Sequence, residues 1–136
     1  PLSTNSMNDY PFPRNPSAND YCVFPSELEN DPCVLFHATP SENFAEICSE
    51  GFKIPVVLAP TGLASVSFAK RSVGALSHAM MRRKSSPGEY VVFAVRYKSL
   101  DYHHISNNIS DIHDYKLDPA PQIIGFCRIP LSYEHR

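Results

Sequence analysis

Apolar residues along this chain fall into two periods, and the change from one to the other marks its elements. Cys33-Val34-Leu35-Phe36 is an unbroken apolar run behind Pro32 and reads as a short buried strand. Phe44, Ile47 and Cys48 then fall at i, i+3 and i+4, which puts one apolar stripe on a helix. Thr39, Pro40 and Glu42 supply its start: a hydroxyl acceptor, a proline where a missing N–H costs nothing, and a carboxylate three residues on to close a capping box. Gly51 stands where that helix should end. His37 is thereby expected at the mouth of the strand, beside a helix N-terminus. From there its side chain either meets a ligand or bonds a nearby carbonyl.

Further along, Phe52–Ala64 carries turn residues at Pro55, Pro60 and Gly62, with Val56-Val57-Leu58 as a short strand or buried loop. Ser65–Ala69 alternates like a strand. Val73, Leu76, Met80 and Arg83 keep helical spacing over Ser72–Lys84. Arg82-Arg83-Lys84 either simply complete that helix, where cations suit the dipole, or form a phosphate-binding patch. Glu89–Tyr97 is the clearest strand and, being nearly all apolar, a central one. Lys98–Ser110 reads as a polar connection, Asp111–Leu117 as a strand, Asp118–Pro121 as a turn and Gln122–Ile129 as a last strand. Gly125 inside it signals a bulge or a close backbone approach. Residues 1–32, rich in Pro, Asn, Ser and Asp, read as an extended arm, ordered in part and pinned by Tyr10, Phe12, Tyr21, Val23 and Phe24. Pro25–Glu29 reads as one helical turn. Residues 33–136 then form a single α+β domain: a split, mostly antiparallel sheet with two main helices.

Composition narrows the function classes. A chain of 136 residues holds one core, and 43% hydrophobic against 19% charged residues is globular. A net charge of −2 gives no global attraction for nucleic acid, so RNA or DNA would need a local patch, for which Arg71, Arg82, Arg83 and Lys84 are the candidates. No apolar run approaches the ~20 residues of a membrane helix, and no signal-peptide pattern opens the chain. The chain starts at Pro1 without an initiator methionine, as an excised or processed piece does. Cys22, Cys33, Cys48 and Cys127 lack the paired spacing of a zinc site and mostly sit in apolar surroundings; free thiols in a reducing, intracellular compartment are expected. Cys33 and His37 would lie about 13 Å apart on an extended strand. His103-His104 reads as a solvated loop pair. No metal site is expected, and no nucleophile–base spacing stands out along the sequence.

The order of motifs resembles the catalytic domain of the poly(ADP-ribose) polymerase (PARP) branch of the ADP-ribosyltransferase superfamily. Leu35-Phe36-His37-Ala38-Thr39 with the following helix and Gly51-Phe52 looks like the family's strand ending in His-Gly-Thr. Ser65–Lys70 looks like its Gly-Ile/Val-Tyr-Phe-Ala motif, and Asp118–Ile123 looks like its Tyr-Asp-Pro-Ala-Gln-Ile segment with one inserted proline. The likeness spans roughly residues 33–130. It implies an NAD cleft in a split sheet, with His37, Ala38, Thr39, Ser67, Phe68, Ala75 and His78 at cofactor-contacting positions. His37, Ser67 and His113 fall at the positions of the family's His-Tyr-Glu triad. Against that pattern, Ala38 replaces a glycine, Ser67 and His78 replace the two ring-stacking tyrosines, Ala75 replaces an amide-bonding serine and His113 replaces the glutamate. Asp111 and Asp114 flank His113, and a slip of register would bring either inward. The expected function is therefore a catalytically degenerate PARP-like domain serving as an interaction or scaffold module, with poor or no NAD binding and no cofactor. The alternative is an active mono-ADP-ribosyltransferase using NAD as substrate on a protein or nucleic-acid acceptor. A protein is the expected partner, met through the arm or a sheet edge; RNA or DNA at the basic helix end is the second choice, and no membrane is expected.

Overall fold

Tyr90–Val95, the longest buried run, becomes an interior strand of the sheet because both of its faces are covered. The computed structural model describes residues 7–55 and 64–134. In chain order the elements are β1 (Asn8–Asp9), α1 (Ser26–Glu29), β2 (Val34–Pro40), α2 (Phe44–Glu50), β3 (Val66–Ala69), α3 (Ser72–Arg83), β4 (Tyr90–Arg96), β5 (Ile105–Asn107), β6 (Asp111–Asp114) and β7 (Gln122–Ile129). The seven strands form one sheet in the order β1-β7-β4-β2-β3-β6-β5. Every neighbouring pair is antiparallel except β1, which runs parallel to β7. The fold is α+β, with three α-helices among the described residues: the two main ones, α2 and α3, and the single turn α1 expected at 25–29. The expected strand or loop at Val56–Leu58 lies outside the described residues.

Alternation along the strands divides the core into two layers. Phe36 and Ala38 of β2, Val92 and Ala94 of β4 and Cys127 of β7 pack beneath Ala75, Leu76 and Ala79 of α3. Leu35, Val91, Phe93, Val95 and Phe126 point the other way, toward Cys48 of α2. All four cysteines are free thiols, and burial pushes the Cys127 thiol up to about 12.

Three expectations are corrected. First, the Thr39 capping box does not form. Thr39 and Pro40 stay in the ladder with Val91 and Tyr90 of β4, and a 3-10 turn at Ser41–Asn43 precedes α2. The Thr39 hydroxyl instead accepts from Asn43 Nδ2 at 3.0 Å. His37 is thus mid-strand and not beside a helix N-terminus. Second, the polar connection 98–110 contains β5, paired with β6. Third, the segment before residue 33 is core-forming from Val23 on: Val23, Phe24 and Leu28 are buried under α3, and each such side chain contributes roughly 1.5–3 kcal/mol.

That segment also supplies a charge. Glu29, buried at the end of α1, sends Oε1 to the Ser72 N–H at 3.0 Å, and its Oε2 accepts from the Ser72 hydroxyl and from the Phe24 N–H at 3.3 Å. Ser72 Oγ in turn accepts from the Val23 N–H at 2.8 Å. Arg71, the residue before α3, makes no side-chain cap of its own. A carboxylate from a distant part of the chain therefore satisfies the first turn of α3, where the helix dipole favours negative charge. In β7, Gly125 is both things its position implied. The β4–β7 register shifts beside it, and a Cβ there would lie 2.5 Å from the Tyr10 ring and 3.1 Å from the Asn8 carbonyl.

Glu29→Ala should lower unfolding free energy by about 2–3 kcal/mol, since buried donors lose their acceptor, measured from urea midpoints at constant m-value. Gly125→Ala should cost about 1–3 kcal/mol and release the β1 segment, read as lost amide protection around residues 8–10 with β4 unaffected.

Candidate functional site

β2 and β3 share one ladder pair, Phe36 with Ala69. Between them lies a cleft of about 650 Å³. Its β2 wall is His37, Ala38 and Thr39; its β3 wall is Ser65 through Ala69. Ala75, His78 and Arg82 line it from α3, at the i, i+3, i+7 spacing of one helix face, and Ile47, Phe52, Lys53 and Pro55 line it from α2 and beyond. Gly74 lets α3 approach β3, because a Cβ there would sit 3.1 Å from that of Ala69.

His37 bridges the seam. Its Nδ1 is 2.7 Å from the Ser67 carbonyl oxygen, which only accepts, so Nδ1 carries the proton and Nε2 is left as an acceptor. Its ring meets Phe52 and Phe68 at centroid distances of 5.2 and 5.7 Å. Burial lowers its pKa, the Ser67 carbonyl opposes this, and nearby His78 and Arg82 lower it further. The imidazole is neutral at pH 7. Of the two readings open for this residue, the bond to a nearby carbonyl is present, and the ring also lines the cleft.

His113 lies across from Ser67 in the β3–β6 ladder. Its Nδ1 is 2.9 Å from Ser67 Oγ and 3.2 Å from Ser65 Oγ. Its Nε2 is 3.3 Å from Asp111 Oδ2. His113 itself does not line the cleft; Asp111 does. Asp114 does not turn inward. It is wholly buried, with Oδ2 accepting from the Tyr97 hydroxyl at 2.7 Å and Oδ1 from the N–H groups of Lys116 and Leu117. Burial, and then the Asp114 carboxylate, hold the Tyr97 phenol far above its ordinary range.

The chain thus brings His37, Ala38, Thr39, Ser67, Phe68, Ala75 and His78 to one cleft and ties His113 to it through Ser67. It does not gather the basic residues. Arg82 faces the cleft, whereas Arg83 turns away to the Gly88 and Tyr133 carbonyls and lies over the Tyr90 ring. Arg71 bonds Asn30 at 2.9 Å, and Lys84 caps the C-terminal end of α3. Helix completion therefore describes Arg83 and Lys84 better than a joint phosphate patch. His104 is not a solvated loop residue: its ring stacks on Tyr102 and its Nε2 is 4.0 Å from Asp114. Sequence reasoning missed Asp111 and Ser65 as partners of His113. The signal was there in Ser65-x-Ser67 and Asp111-x-His113, pairs that share a strand face. Among the described residues no group of three His, Cys, Asp or Glu could hold a metal ion. No helix among them is long and apolar enough to cross a membrane.

Comparison with protein-family models, with curated proteins and with solved structures finds no match in any of the three.

Because folding lowers the proton affinity of His37, the unfolded chain binds more protons below pH 6.5, the ordinary histidine value. Stability is therefore full above that pH and falls as the pH drops through it. His37→Gln should flatten this loss, seen as a smaller difference between urea midpoints at about pH 7.5 and about pH 5.

Proposed function

We propose that this domain is a catalytically degenerate PARP-like module of ADP-ribosyltransferase-like fold that binds a protein partner and takes NAD poorly or not at all. The observation that supports it is the mismatch within one cleft. The residues at all seven cofactor-contacting positions line the same space, yet Ser67 and His78 stand where rings should stack and Ala75 where a hydroxyl should bond the amide. One lost stacking contact is worth about 0.5–1.5 kcal/mol and one lost hydrogen bond about 1 kcal/mol. Together they weaken a nicotinamide complex by roughly 10- to 100-fold before any change in chemistry. His113 at the glutamate position, with Nδ1 bonded to Ser67 and Nε2 beside Asp111, offers no negative charge to a developing oxocarbenium ion, and losing such a group costs about 10²–10³ in rate.

A second reading, an active mono-ADP-ribosyltransferase, is favoured by one observation: the Asp111 carboxylate stands on the cleft wall. Calorimetric titration with NAD separates the two. The expected result is no saturable heat up to millimolar NAD. Micromolar binding that His37→Ala abolishes, followed by a mono-ADP-ribosylated product in which Asp111→Asn is silent, would establish the enzyme instead.

A further inference from the structure

The β3–β6 ladder carries an arrangement that NAD chemistry leaves unused. Ser67 is exposed on the cleft wall, with its hydroxyl 2.9 Å from His113 Nδ1, while His113 Nε2 lies 3.3 Å from the Asp111 carboxylate. The Asp111 charge lies close to Nε2 at ion-pair distance, so it favours the imidazole tautomer with the proton on Nε2 and the lone pair on Nδ1. That lone pair faces the serine hydroxyl. Hydroxyl, imidazole and carboxylate stand in the order in which a serine nucleophile is activated, an order defined by geometry and not by sequence position. The site is also held rigidly. His37 grips the Ser67 carbonyl at 2.7 Å from one side, and the β6 ladder holds Ser67 opposite His113 from the other. Ile47, Phe52 and Pro55 give the adjoining cleft an apolar wall, and Arg82 adds a cation.

We propose that Ser67 is an activated nucleophile and that this cleft hydrolyses esters of small apolar acyl groups. Ser67 Oγ bonds the ester carbonyl carbon as its proton passes to His113 Nδ1. The bond from that carbon to the alcohol oxygen breaks, and the departing oxygen takes the proton from His113. Water then attacks the acyl-serine by the same route, giving the carboxylic acid and restoring Ser67. Asp111 is a positioning residue, holding the His113 tautomer. The proposal is independent of whether the cleft takes NAD.

The test is labelling of the intact chain with a fluorophosphonate, followed by turnover of p-nitrophenyl acetate. One adduct is expected, mapped by mass spectrometry to Ser67, absent in Ser67→Ala and formed about 100-fold more slowly in His113→Ala. Asp111→Asn should lower kcat with KM unchanged, and Asp111→Glu should recover part of the loss. Wild-type protein that gives no adduct at Ser67 overturns the proposal whatever the variants do. So does a folded His113→Ala, verified by circular dichroism, that labels at the wild-type rate.

Discussion

The Glu29 carboxylate is the constraint on which the rest of this structure turns. A buried charge is tolerable only when its oxygens are fully occupied, and here they are occupied by the first turn of α3 and by the backbone leading into α1. That one group fixes the start of α3 against the segment at residues 23–29. The start of the helix fixes its rotation. The rotation decides that Ala75, His78 and Arg82 face the cleft while Leu76 and Ala79 face the core. A surface ion pair such as Lys53 with Glu46 and Glu50, exposed on both sides, has no comparable authority over the fold.

Much of this was legible in the chain, for physical reasons that differ by element. Gln122–Ile129 and Tyr90–Arg96 announced themselves because long apolar runs with β-branched residues have few alternatives to a central strand. Ser72–Arg83 was clear from its 3.6-residue period. The capping box at Thr39 misled because local propensity lost to pairing: β4 offers Thr39 and Pro40 a continued ladder, and the chain takes it before turning. β5 was invisible because three residues, of which only Ile105 is buried, give no period to detect.

The cleft was legible in its members but not in its wiring. His37 and Ser67 were identifiable from motif order, yet nothing along the sequence says that the histidine reaches the serine's carbonyl and the second histidine its hydroxyl. Those links depend on register between strands thirty to fifty residues apart, which is a property of the sheet. The same register settles the two acidic neighbours. With His113 opposite Ser67, Asp111 shares its face and Asp114 must take the other, under the sheet with Tyr97.

The sheet order has a temporal meaning as well. β1 and β7 lie side by side, so an early strand of the chain can pair only after the last one exists. On a ribosome that makes about 5–20 residues per second, the early segment waits with Val23 and Phe24 uncovered while β4 and β7 are still being made. Long-range closure of this kind slows folding relative to chains built from local contacts. Once β7 exists and until β1 docks, the outer flank of β7 is open to the same backbone pairing from another copy, so the two-residue β1 works as the guard on that edge once Tyr10 seats over Gly125.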